Sequence, residues 1–215
     1  MRQFPENPCQ EVNIDTWHRR NNFEFFKEFL NPNVGVTVMV DASRAYERSK
    51  REGTSFFFRY FHAVLRATNA IDEMHYRIGR DGRVFRYDRI DGLAPIGLKG
   101  TDRFAELRFL YDDDFARFAA DAEETMKLAA TTDPYSSENS FSGYDMILVS
   151  AVPDIAFTSI AGTLRSSQGN DYPIVNVGKK EPDGKMPIAI NIHHGLVDGV
   201  HVSRFFSLIQ KYLDE

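Results

Sequence analysis

The run Met186-Pro187-Ile188-Ala189-Ile190-Asn191-Ile192-His193-His194-Gly195-Leu196-Val197-Asp198-Gly199-Val200-His201 decides how this chain is read. Its first half, Met186 to His193, has the apolar content of a buried strand. The strand ends in two histidines, a small residue, an aspartate and a glycine then make a tight turn, and a helix runs on from about Val200 to Leu213. Neighbouring strand residues point to opposite faces, so His193 and His194 cannot do the same job. One can be structural while the other faces a cleft.

Reading back from that run, Pro182-Asp183-Gly184 supplies a turn, and strand-like segments lie at Tyr172–Val177, Ile155–Ile160 and Met146–Val152, the last ended by Pro153. Ser150 therefore sits near a strand end. Thr131 to Gly143 is rich in Ser, Thr, Asn, Pro and Gly and reads as a loop. Asp112-Asp113-Asp114 suits the start of a helix through Phe115, Phe118, Ala119, Ala122, Met126 and Ala129. Leu93–Leu98 and Leu107–Tyr111 read as strands, and Tyr76–Ile78 and Val84–Tyr87 as a hairpin around Asp81-Gly82. A core helix opens at Thr54 or Ser55 and carries Phe57, Phe58, Phe61, Val64, Leu65 and Thr68 on one side; a polar segment, Ser43–Glu52, leads into it. Val34, Val36, Val38 and Val40 alternate with Gly35, Thr37 and Met39, the period of a half-buried strand. Before it, Asp15 is placed to cap a helix with Trp17, Phe23, Phe26 and Leu30, broken by Asn31-Pro32-Asn33. Helices and strands mix without strict β-α-β alternation, and at least one hairpin is antiparallel. The expected fold is α/β, a two-layer sandwich with a mixed β-sheet. With no repeat and no linker, residues 1–215 are expected to form a single domain.

Composition narrows the function. At 42% hydrophobic over 215 residues the chain can bury a substantial core. A net charge of −5 argues against a nucleic-acid surface, which needs a concentrated basic face. No stretch approaches the roughly 18 apolar residues of a membrane span, and the opening residues lack the apolar centre of a signal peptide. A cytoplasmic protein with small-molecule or protein partners is expected. The single cysteine, Cys9, cannot form an internal disulfide. Eighteen phenylalanines fill a core, and also suit aromatic pockets or a subunit interface.

On the residues alone, three readings of the histidine turn compete. The histidines can be hydrogen-bonded core residues, or His194, Asp198 and His201 can bind a metal, or an imidazole can deprotonate a hydroxyl near neutral pH. Gly195 and Gly199 weaken a continuous helical face of metal ligands.

The segment His193-His194-Gly195-Leu196-Val197-Asp198-Gly199 resembles the His-His-x-x-x-Asp-Gly motif of chloramphenicol acetyltransferases, shared in looser form with the acyltransferase cores of 2-oxo-acid dehydrogenase complexes. Trp17-His18-Arg19-Arg20-Asn21-Asn22-Phe23-Glu24-Phe25-Phe26 is similar to that family's N-terminal segment, Ser150-Ala151-Val152-Pro153 to its Ser-Ala-Leu-Pro, and Asp72-Glu73 with the following hairpin also matches. The resemblance spans nearly the whole chain and implies a CoA-dependent acyltransferase fold and transfer of acetyl from acetyl-CoA to an acceptor hydroxyl, with no permanently bound cofactor and no metal. It assigns the general base to His194, a structural ion pair to Asp198 and Arg19, and oxyanion stabilisation to Ser150. Phe26, Phe104 and Asn176 fall on acceptor-contacting positions, and Lys179, Lys180 and Arg165 are candidates for the CoA phosphates.

The resemblance further implies a homotrimer in which Phe26 and Phe104 line a cleft facing the neighbouring chain's His194. Departures lie in the acceptor shell: Phe26 stands for a tyrosine, Asn176 and Pro95 for threonines and Asp154 for an aromatic. That pattern fits another small alcohol or amine as acceptor, or weak activity on chloramphenicol. A non-catalytic binding module of the same fold is a further alternative.

Overall fold

The computed structural model describes residues 5–130, 145–161 and 172–215. The expected loop at 131–143 and Arg165 lie outside them. The central sheet has six strands in the order β2-β9-β8-β7-β5-β6: β2 (Asn33–Asp41), β5 (Asp91–Gly97), β6 (Phe104–Phe109), β7 (Met146–Ala151), β8 (Ile174–Val177) and β9 (Lys185–His193). β7 runs parallel to β5 and β8, and the other pairs are antiparallel. A separate antiparallel sheet has the order β1-β4-β3, with β1 (Cys9–Glu11), β3 (Tyr76–Ile78) and β4 (Val84–Tyr87).

The valine alternation works as its period requires. β2 pairs with β9 from Asn33↔His193 to Asp41↔Lys185, so Val34, Val36 and Val38 share a face with Ile192, Ile190 and Ile188. That face carries the core, completed by helix α3 (Phe56–Asn69) and helix α5 (Gly199–Asp214). Gly92 shows how tightly α3 sits on β5, since a Cβ there would come within 2.4 Å of Phe61 Cζ. Successive strand residues alternate sides, so Gly35, Met39, Asn191, His193, Ser150 and Asn176 lie on the opposite face of the sheet.

Several elements differ from expectation. The first helix, α1, covers only Arg20–Phe26. Asp15 belongs to a preceding 3-10 turn whose cap is Asn13, and Asn13 Oδ1 accepts the Asp15 N–H at 3.0 Å. The polar segment Ser43–Glu52 is itself a helix, α2, burying only Ala45 and Ser49 and ended by Gly53 at φ +65°. With charged residues around so narrow a buried stripe, the segment reads as polar rather than as a core helix. No strand forms over 155–160: after Pro153 the chain turns, with Ile155 N–H bonded to Val152 O, and Ile155 is exposed. Asp114 does cap α4 (Phe115–Lys127), accepting the Arg117 N–H at 2.9 Å.

Candidate functional site

Four elements meet around His194. β9 delivers it, and the turn after β9 is closed by Leu196 and Val197 N–H bonds to His193 O. Its own N–H bonds Pro32 O at 2.9 Å, which ties the turn to the segment leading into β2. Gly195 lets α1 come close, because a Cβ there would lie 3.2 Å from Phe23 Cα. From α1, Phe26 lies flat on the His194 imidazole, with ring centroids 4.1 Å apart and planes 9° from parallel. This corrects the expectation that Phe26 faces a neighbouring chain's histidine.

The two histidines divide the work. His193 is buried, and its Nδ1 accepts the Gly195 N–H at 3.0 Å. Burial, with adjoining His194 adding to it, pushes its pKa down to about 4, so it is a neutral structural ring. His194 is a third exposed; its Nδ1 faces Asp198 Oδ1 at 3.4 Å, near enough for attraction but not aligned for a hydrogen bond.

Asp198 is the N-cap of α5 and the hub of the turn. Its Oδ2 takes a 2.7 Å hydrogen bond from Arg19 Nη1, and Oδ1 one of 3.2 Å from Asn22 Nδ2. The Arg19 hydrogen bond, reinforced by its charge, holds the carboxyl below the usual carboxylate range against partial burial. Arg19 and Asp198 are thus paired across 179 residues of sequence, as the resemblance implies. Sequence reasoning missed Asn22, although it lies three residues after Arg19 and hence on the same helical face.

Ser150 is elsewhere. It stands opposite Asn176 on β8, and Asn176 stands opposite Ala189 on β9. Two interstrand steps of about 4.8 Å and the four residues from Ala189 to His193, at about 3.3 Å each, put the Ser150 and His193 Cα atoms about 16 Å apart, with His194 farther still. Ser150 and His194 therefore occupy opposite ends of the sheet. Phe104 is paired with Gly97 at the C-terminal end of β5, the Ser150 end, so Phe26 and Phe104 of one chain do not line one cleft.

The Ser150 end opens into a groove of about 570 Å³ lined by Tyr46, Phe56, Tyr60, Ala151, Lys179 and Lys180. Lys180 Nζ lies 4.9 Å from the Tyr46 ring centroid and bonds Glu181 O; Lys179 is half-exposed and 3.9 Å from Glu181. Both lysines can reach an anionic group at the rim. The sequence reading missed the aromatic wall, because Tyr46 belongs to the unrecognised α2. Among the described residues no group of three or more His, Cys, Asp or Glu is arranged to hold a metal ion, and no helix is long and apolar enough to cross a membrane.

Comparison with known proteins adds to this geometry. The sequence model of the chloramphenicol acetyltransferase family matches residues 8–210. A chloramphenicol acetyltransferase of a Klebsiella species is 28% identical over 207 residues, which cover 95% of this chain and 93% of the relative. A solved structure described as chloramphenicol acetyltransferase is 42% identical, covers 96% of this chain and 100% of that one, and superimposes with a TM-score of 0.88. The dihydrolipoamide acetyltransferase of Azotobacter vinelandii, 16% identical over 91% of this chain and 86% of its own, shares the fold with a TM-score of 0.62.

Proposed function

The chain belongs to the chloramphenicol acetyltransferase family, and from that premise we propose that His194 is the general base through which an acceptor hydroxyl attacks acetyl-CoA. The enzyme is an acetyl-CoA-dependent O-acetyltransferase. The observation that carries His194 is its setting: half-open, flattened against Phe26, with Nδ1 toward an aspartate that Arg19 keeps ionised. A carboxylate beside Nδ1 favours the proton there and leaves Nε2 free to accept one.

The acceptor hydroxyl gives its proton to Nε2 as its oxygen bonds to the thioester carbonyl carbon. The imidazolium so formed stands beside Asp198, which stabilises it. Ser150 Oγ donates a hydrogen bond to the oxyanion; collapse breaks the C–S bond, and the proton on Nε2 passes to the CoA sulfur. No acyl-enzyme forms. The groove at Ala151, at the same end of the sheet as Ser150, takes acetyl-CoA, with Lys179 and Lys180 toward its phosphates, while Phe26, Phe104 and Asn176 contact a small hydroxylated acceptor.

One carbonyl cannot be served by a histidine and a serine at opposite ends of one sheet. The base of one chain must work with the serine and groove of another, and a closed homotrimer supplies three such sites. Exposed Phe25, Phe29 and Leu30, next to the base, are apolar surface that a second chain would cover. The protein acts as a single domain in the cytoplasm.

The test is acetyl-CoA turnover by wild type and His194→Ala against chloramphenicol and a panel of other alcohols and amines. The wild type should turn over at least one acceptor, and the variant should lose about 10²–10⁴-fold in kcat. A variant within about tenfold of wild type, below that usual range, removes His194 as base. Turnover of the panel without chloramphenicol would assign another acceptor, in line with Phe26 standing where the family has a tyrosine.

A further inference from the structure

His201 does more than lie in the first turn of α5. It occupies the third helical position after the Asp198 cap, where a glutamate or glutamine side chain ordinarily accepts the N–H of the cap residue. Here the imidazole does it: Asp198 N–H donates to His201 Nδ1 at 3.0 Å, while the His201 N–H donates to Asp198 O at 3.0 Å. The two bonds hold the backbone of Asp198, and through it the position from which its carboxylate projects. That carboxylate is already divided between Arg19 Nη1 and Asn22 Nδ2, and His194 Nδ1 lies against it. Any pivot of the Asp198 backbone thus shifts the partner of the base.

An imidazole accepts at Nδ1 only when that nitrogen carries no proton, so the proton of His201 is on Nε2. Nε2 lies 3.4 Å from Glu73 Oε1, a carboxylate that favours a proton there. Glu73 comes from the 3-10 turn ahead of β3 and also faces His18 Nε2, at 3.9 Å. The charged and titratable groups about His201 are therefore Glu73, with His18 beyond it, and Asp198, with Arg19 and His194 beyond that. A second proton on His201 would set N–H against N–H at the cap and open it.

We propose that His201 is a positioning residue for His194, held by Glu73 in the tautomer with a bare Nδ1, so that the active-site turn has an acid sensitivity separate from titration of the base. This rests on the reading of His194 as base. Glutamine at position 201 can accept the Asp198 N–H and cannot take up a proton; leucine can do neither.

The experiment uses the full-length protein. Long-range ¹H–¹⁵N correlation spectra of His201 at pH 7.5 should show an unprotonated Nδ1. His201→Leu should lower kcat about tenfold, a positioning loss short of the roughly 10² that a 1 Å displacement can cost, while KM for acetyl-CoA, bound at the other end of the sheet, changes less than about twofold. His201→Gln should return to within about threefold of wild type, and the acid limb of its kcat/KM profile should fall off with one proton where the wild type falls off with more than one. A protonated Nδ1, equal activity of the glutamine and leucine variants, or an acid limb unchanged by glutamine overturns the proposal. Should the leucine variant not fold, the spectrum and the glutamine profile still decide. Failure of the His194 reading looks different: His194→Ala would stay active whatever the tautomer of His201.

Discussion

Phe26 lies parallel to the imidazole of His194 in its own chain, 4.1 Å away between ring centroids. A flat apolar ring at that distance limits rotation of the imidazole and shields one face from water. The group expected in the acceptor pocket is therefore also a support of the His194 ring.

Phe26→Tyr keeps the stack and should retain kcat within about threefold, whereas Phe26→Ala should lower it about tenfold through lost orientation. Steady-state kinetics with saturating acetyl-CoA check this. If alanine alters only KM for the acceptor, Phe26 is a pocket wall and nothing more.

The Arg19–Asp198 pair should couple strongly. Arg19 is 5% exposed, and among the described residues its Nε and Nη2 have no hydrogen-bond partner, so loss of Asp198 removes the one counter-charge that the described residues place on this buried cation. Each of Arg19→Met and Asp198→Asn should destabilise the fold by about 3–5 kcal/mol, and the double variant by clearly less than the sum. Urea unfolding of the four proteins gives the coupling energy; strict additivity would show that the two side chains act independently.

Opposite ends of one sheet for His194 and Ser150 make complementation the test of a shared site. His194→Ala and Ser150→Ala chains, refolded together in equal amounts, should form mixed assemblies in which about a quarter of the sites pair an intact histidine with an intact serine. The mixture should then be far more active than either parent. Mixed assemblies no more active than the parents would place base and serine in one chain's site.

Stability should fall with acidity because of His193. Its pKa in the fold is about 4, against 6.5 for a free histidine. The unfolded chain thus binds the proton first. The stability linked to His193 is full above about pH 6.5, is lost as pH falls toward 4 and is gone below that, about 3 kcal/mol in all. His193→Asn, whose side-chain oxygen can accept the Gly195 N–H, should flatten the stability profile over that window. Denaturant midpoints measured from pH 4 to pH 7 read it directly, and equal slopes for the two proteins would exclude His193 as the source.

The sequence alone determined what repeats at short range. Valines at period two placed β2, the Phe-rich stripe placed α3, and Asp114 placed the start of α4, because each rests on interactions within a few residues. It also carried the residue types of the turn, so that His194, Asp198 and Arg19 were legible from the motifs. Tertiary structure decided the rest. Ser43–Glu52 became a helix because Ala45 and Ser49 find a surface to pack on, and the run from Ile155 pairs with no strand among the described residues. Only strand order and register could show that Ser150 and His194 stand at opposite ends of one sheet. Only packing could lay Phe26 on His194 or set Glu73 against His201, since such contacts join residues distant in sequence, and no local pattern encodes how far apart the fold will hold them.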